Sequence, residues 1–276
     1  MPSVLVTGAG RGIGRSIAEH LAGRDWDVIA GVRTEADAVA VTAANPRRIT
    51  AVTLDVTNDA HVAELRDSLP VRLDGIVNNA GISVGGPMET VGTDDWRKQL
   101  EVNVIGQMAV TRAVLPRLRK SRGRIVFISS VNGRLSMPMV GAYSASKFAL
   151  EAAADALRME LRPWHIPVVI VEPAQTDTDM WRTADTMFEE AEAALTPEHR
   201  ALYARHMAGM KKMIPIARRM AVNPAKVSTV VEKSLTTSRP RPRYVVGAGP
   251  KAQVALMTNL PAAVRDRVLR KVAGQP

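Results

Sequence analysis

Residues 3–22 restrict the possible folds more than any other stretch of the chain. Ser3-Val4-Leu5-Val6-Thr7 is a short β-branched apolar run without polar alternation, the pattern of a strand buried on both faces of a parallel sheet. Gly8-Ala9-Gly10-Arg11-Gly12-Ile13-Gly14 follows directly, and Arg15 to Ala22 carries the apolar spacing of an amphipathic helix. A strand that enters a helix through glycines leaves bare backbone N–H groups at the positive end of the helix, a cradle for a pyrophosphate. Ile13 stands where the last glycine of the commoner G-x-G-x-x-G spacing falls, so the signal rests on the strand and helix either side.

The same alternation continues to residue 174. Further strands are predicted at 26–32, 49–54, 75–77, 124–128 and 167–171, with helices at 59–69, 94–119 and 143–161. Polar and small residues gather where these strands end: Asp55-Val56, Asn78-Asn79-Ala80-Gly81, Ser129-Ser130 and Glu172-Pro173-Ala174. This predicts an α/β fold, a single-domain doubly wound parallel sheet of Rossmann type with its ligand at the strand ends. Residues 1–174 form the expected dinucleotide-binding and catalytic core. Residues 175–236 are helical and rich in methionine (Met180, Met187, Met207, Met210, Met213, Met220), suited to lining an irregular apolar pocket as a lid or equally to ordinary helix packing. Residues 237–276 supply a last strand at 243–247 and a basic amphipathic helix at 261–272 that docks on the sheet, on a partner subunit or on a membrane surface.

Composition narrows the setting. Cysteine is absent, so no disulfide or thiolate metal site exists; no metal is expected, and a reducing cytoplasm suits the chain. No apolar run approaches the ~18 residues of a membrane span, and a strand starting at Ser3 leaves no room for a leader. The net charge of +10 raises nucleic-acid binding, but the basic clusters at 117–124, 211–219 and 239–243 are short and are not interleaved with aromatic residues. They read better as solvated surface or as attraction for an anionic ligand.

Two arginines bear on which dinucleotide binds. An acidic residue at the end of the second strand would bond a ribose 2′-OH; here Val32 is followed by Arg33, and Arg11 lies in the glycine loop. Two guanidiniums suit a 2′-phosphate, hence NADP rather than NAD, although Arg33 also reads as a solvated strand end. Asp55 is placed to accept from the adenine amino group.

Tyr143 and Lys147 stand four residues apart, hence on one face of a helix. A phenol titrates near 10, and a neighbouring ammonium favours the phenolate, drawing it toward the range of a general acid or base.

Together these residues resemble the short-chain dehydrogenase/reductase family over residues 2–180, closest in character to the branch acting on steroids and retinoids. Thr7-Gly8 with Gly12-Ile13-Gly14 is similar to its cofactor loop and Asn78-Asn79-Ala80-Gly81 to its fourth-strand motif. Asn103, Ser130, Tyr143 and Lys147 fall where its catalytic tetrad is expected, Ser130 being preferred to Ser129 because it precedes Tyr143 by thirteen positions. The resemblance implies hydride transfer between a nicotinamide and a carbonyl carbon, Ser130 bonding the oxygen and Tyr143 moving the proton. Lys147 would lower the tyrosine's pKa and bond the nicotinamide ribose, and Asn103 would anchor a water leading to solvent.

It also implies cofactor contacts at Gly8, Gly10, Arg11, Gly12, Ile13, Gly14, Arg33, Asp55, Val56, Asn79, Ala80, Gly81, Tyr143, Lys147, Pro173, Thr176 and Thr178. Ala174 departs from the family, which has glycine there. The stretch 161–167, the 180–236 insertion and 243–247 are similar to the steroid and retinoid branch and imply a lipophilic alcohol or carbonyl substrate and a homodimer or homotetramer. The expectation is an NADP(H)-dependent enzyme; the alternative is a non-catalytic NADPH-sensing regulator on the same fold.

Overall fold

The computed structural model describes residues 1–178 and 184–275. Its strands are β1 (Ser3–Thr7), β2 (Asp27–Val32), β3 (Ile49–Thr53), β4 (Gly75–Asn78), β5 (Arg124–Ile128), β6 (Val168–Glu172) and β7 (Arg243–Val245). They form one sheet in the order β3-β2-β1-β4-β5-β6-β7, parallel throughout. The order reverses between β1 and β4, so the crevice expected of a doubly wound sheet opens at the carboxyl ends of those two strands.

The helices are α1 (Gly12–Ala22), α2 (Glu35–Ala44), α3 (Asp59–Ser68), α4 (Thr93–Leu100), α5 (Gln107–Ser121) and α6 (Gly141–Glu160), then α7 (Ala184–Ala193), α8 (Pro197–Arg219), α9 (Pro224–Thr236), α10 (Ala248–Met257) and α11 (Ala262–Val272). Alternate residues of each strand face opposite layers. Val4, Val6, Val77 and Val126 meet Ile17 and Leu21 of α1 and Val227 and Val231 of α9 on one face. Leu5, Ile76, Ile125 and Phe127 meet Leu65 of α3, Val114 and Leu118 of α5 and Leu150 of α6 on the other. Burying side chains of this size contributes ~1.5–3 kcal/mol each, enough to fix the register of every central strand.

The expected elements form with small shifts at their ends. Trp26, Leu54 and Pro167 fall just outside their strands, and the last strand stops at Val245, because Gly247 (φ 97°) turns the chain into α10. Helices α2 and α10 have no counterpart in the sequence reading, and 175–236 resolves into α7, α8 and α9. The single helix expected over 94–119 is broken: α4 and α5 are joined by one turn of π-helix, Glu101–Gly106, which carries Asn103. Among the described residues no helix is long and apolar enough to cross a membrane, and no cluster of three His, Asp or Glu could hold a metal. Met180 lies outside the described residues.

Candidate active site

The glycine loop leaves β1 through Gly8 (φ 64°), in the left-handed region that favours glycine. Gly14 must also be bare, since a Cβ there would lie 2.2 Å from the Gly8 carbonyl oxygen and 2.4 Å from Asn79 Nδ2. That Asn79 amide donates to the carbonyls of Thr7 (3.0 Å) and Gly8 (3.2 Å), while Thr7 Oγ1 accepts from the N–H groups of Asn79 and Ala80 at 3.0 Å each. The ends of β1 and β4 are thus laced together at the switch point. Helix α1 begins at Arg11 without a side-chain cap and without an acidic residue in its first turn, so its N-terminal N–H groups face the crevice uncompensated. The bare loop and the open helix end fit a dinucleotide pyrophosphate. Thr178 closes over Gly12, where a Cβ would meet its side chain at 3.4 Å.

At the rim of the crevice Asp55 Oδ1 accepts from the N–H and hydroxyl of Thr57 at 3.0 and 2.8 Å. Burial opposes its ionisation, but Thr57, Arg33 and His61 together hold the carboxyl below its ordinary value. Arg33 and Asp55 are therefore neighbours at this rim, and Val56, next in the chain to Asp55, is buried. After β6 the chain is pinned by pairing of Thr176 with Val222, and the Thr176 hydroxyl donates to the Ala174 carbonyl at 3.0 Å. Ala174 is not among the residues of positive φ, so the alanine is accommodated without left-handed backbone.

The other four residues converge at the ends of β4 and β5. Ser130 Oγ accepts from the Asn132 N–H at 3.1 Å, which turns it toward Tyr143 of α6. Burial pushes the Tyr143 phenol up, and the Ser130 hydroxyl within its reach works against that rise. The direction is opposite to the one expected from the Tyr143–Lys147 spacing alone. Burial outweighs the expected effect, while the Lys147 Nζ sits 5.8 Å from the tyrosine ring centre and donates to the Ile128 carbonyl at 2.9 Å. Burial draws the lysine itself down to about 8, with the Glu151 carboxylate opposing the fall.

Asn103 is wholly buried in the π turn, with its amide committed. Oδ1 accepts from the Ile82 N–H at 2.8 Å, and Nδ2 donates to the Ile82 carbonyl and to Ser146 Oγ, both at 3.0 Å. A widened turn lets a short side chain reach the loop after β4 from inside a helix. A Cβ on Gly81 would meet Asn103 Oδ1 at 3.4 Å and Lys147 Nζ at 3.8 Å, so the space beside this glycine joins the two residues.

Several supporting residues escaped the sequence reading. Gln99 braces the same loop, accepting from the Val84 N–H at 2.7 Å and donating to the Ile82 carbonyl at 3.0 Å, and Gln107 Nε2 donates to the Ala80 carbonyl at 2.6 Å. Ser146 ties Asn103 to α6 by donating to the Tyr143 carbonyl at 2.7 Å. Their one visible signal is amides recurring every four residues at 99, 103 and 107 on a helix otherwise apolar toward the sheet.

Ser130 and Tyr143 open into a cavity of about 390 Å³. Met187 of α7, Met210 and Met213 of α8 and Met220 just past its end line it, with Val272 and Ala273 at the end of α11. Met207 is instead buried.

Residues 2–188 match the family model described as short chain dehydrogenase. Retinol dehydrogenase 5 of Mus musculus is 33% identical over 99% of this chain and 89% of its own length. The crystal structure of a short chain dehydrogenase from Burkholderia cenocepacia in complex with NADP aligns with a TM-score of 0.76 at 25% identity, over 97% of each chain. A short chain dehydrogenase/reductase from Burkholderia phymatum in complex with NAD aligns at 0.77 and 25% identity, over 93% of this chain and 92% of its own.

Proposed function

The chain belongs to the short-chain dehydrogenase family as an NAD(P)-dependent oxidoreductase acting on CH–OH groups, and from that premise we propose that it interconverts a hydrophobic alcohol and its carbonyl compound with NADP. One observation carries the reading: the Ser130 and Tyr143 hydroxyls meet at the floor of an apolar, methionine-lined cavity beside the dinucleotide crevice. A nicotinamide dinucleotide in that crevice supplies or accepts the hydride.

The side chains do the rest. Ser130 bonds the carbonyl oxygen, stabilising charge that grows there in a poorly hydrated site. Tyr143, kept protonated by its burial, donates to the same oxygen in the reductive direction, and only once deprotonated, as the phenolate, accepts from the alcohol in the reverse. Lys147 holds positive charge beneath the tyrosine, and its remaining N–H groups would hold the nicotinamide ribose. Since the Asn103 amide is already engaged, the gap beside Gly81 is the place for a water linking Lys147 to solvent.

Arg11 and Arg33, both exposed at the crevice, support NADP over NAD. The likeness to a retinol dehydrogenase and the methionine lining support a lipophilic substrate beneath a lid formed by α7 and α8. Exposed Ile105 on the π turn and Phe148 on α6 support a homo-oligomer joined through those faces, and the lack of cysteine suits the cytoplasm.

The test is Tyr143→Phe, assayed with NADPH across apolar ketones and aldehydes. It is expected to lower kcat by at least ~10²-fold with cofactor affinity kept; turnover surviving within a few-fold overturns the assignment.

A further inference from the structure

Beyond Lys147 along α6 a second group of charges comes together. Glu151 lies one turn beyond Lys147 on α6 and is buried; Glu172 ends β6 with no exposed surface. Arg243, the first residue of β7, donates from Nε to Glu151 Oε2 at 2.9 Å and stands 3.4 Å from Glu172 Oε1. Its other arm reaches Asp155 Oδ2 at 2.5 Å. Arg134, in the loop after β5, stands 3.6 Å from the same Glu172 oxygen. Ser129 at the end of β5 closes the group. A Cβ on Gly133 would lie 2.7 Å from Ser129 Oγ and 3.2 Å from Glu151 Oε1, so hydroxyl and carboxylate converge over a residue without a side chain.

Neither Glu172 oxygen has a hydrogen bond of ordinary geometry, and neither has Glu151 Oε1. Two buried carboxyls that share one arginine cannot both ionise without large cost. Burial pushes Glu151 up, with Ser129 and the close Arg243 bond working against the rise. Glu172 has no such close bond: its burial, and then the Glu151 charge, push it up to about 7. Lys147 sits in the same dry region, where an ammonium has lost most of its water and needs a compensating anion.

We propose that Glu151 is a positioning residue for the reaction: its carboxylate, clamped by Arg243, holds Lys147 as an ammonium beneath Tyr143. The proposal rests on the role given to Lys147 above. It assigns the strand added by β7 a part in the chemistry, since Arg243 reaches the helix of Tyr143 from the far edge of the sheet.

The test reads the lysine directly. The full chain carrying isotope-labelled lysine is titrated by NMR, with the Lys147 signal assigned by its loss in Lys147→Met. Glu151→Gln is expected to lower the Lys147 midpoint by about one pH unit and to move the alkaline limb of the kcat profile down with it. Glu151→Asp, which keeps the charge, restores at least half of that shift. Should Glu151→Gln fail to fold, Arg243→Met serves: without the clamp Glu151 gains the proton and the Lys147 midpoint falls likewise. A midpoint unmoved in the folded charge-removing variant, or Glu151→Asp behaving as Glu151→Gln, overturns the proposal. Because the readout is the titration of the lysine, an active Tyr143→Phe enzyme, fatal to the proposed reaction, leaves this test standing.

Discussion

Gly14 decides whether the crevice can take a cofactor, because the space a methyl group would need is already filled by the Gly8 carbonyl and the Asn79 amide. Gly14→Ala therefore has to push α1 away from β1 or break the Asn79 lacing. Either change misplaces the N–H groups that face a pyrophosphate, so NADPH affinity should fall by at least ~10-fold and stability by ~1–3 kcal/mol. Titration by nicotinamide fluorescence checks this; an unchanged Kd would show that the cofactor binds elsewhere. Arg33 is the companion case at the adenosine end. Its guanidinium lies close enough to Asp55 to favour that carboxylate, and the proposed NADP reading sets it beside the ribose. Arg33→Ala should weaken NADPH by ~10-fold and NADH little, and equal losses for the two would mean that the arginine merely shapes the surface.

At the scale of elements, the five interior strands were legible because parallel strands buried on both faces are written as continuous β-branched runs, and Val4 to Val6, Ile125 to Ile128 and Val168 to Val171 are such runs. Helix α2 was missed because its apolar residues are mostly alanine and only Val41 is buried, so no stripe stands out. The π turn was missed for a different reason. Its residues Glu101–Gly106 keep the apolar spacing of an α-helix, and nothing local requires the extra residue. What opens the turn is Asn103 finding both backbone groups of Ile82, a contact across 21 positions that no local pattern contains. The positions of Ser130, Tyr143 and Lys147 could be read from spacing, but not the direction in which Tyr143 is shifted, since burial is a property of the assembled layers. Asn103→Ala tests this element. It strands the half-buried Ile82 N–H, although Gln99 still donates to the Ile82 carbonyl, so stability should drop by ~1–3 kcal/mol in urea denaturation. A loss below ~0.5 kcal/mol would mean that the loop after β4 holds without it.

For the molecule as a whole, Glu172 links folding to pH, and the sign can be worked out. Its folded value of about 7 lies above the ordinary 4.5. Below 4.5 the carboxyl is protonated whether the chain is folded or not, and its burial brings no ionic penalty. Between 4.5 and 7 the unfolded chain releases the proton while the folded chain keeps it, so stability falls as pH rises through this window and levels off above it. The loss amounts to roughly 3 kcal/mol for a single group. Asp155 acts with the opposite sign at lower pH: its burial is outweighed by Arg243 and Arg158, which hold the carboxyl down. Only the difference between two chains isolates Glu172. Glu172→Gln keeps the shape and removes the titration, so the two proteins should differ little near pH 4.5, and the variant should gain on the parent by roughly 3 kcal/mol by pH 8. Urea denaturation at pH 5 and pH 8 measures this. A difference that stays constant between the two pH values would mean that Glu172 is ionised throughout, with Arg243 and Arg134 bearing the full charge of both glutamates.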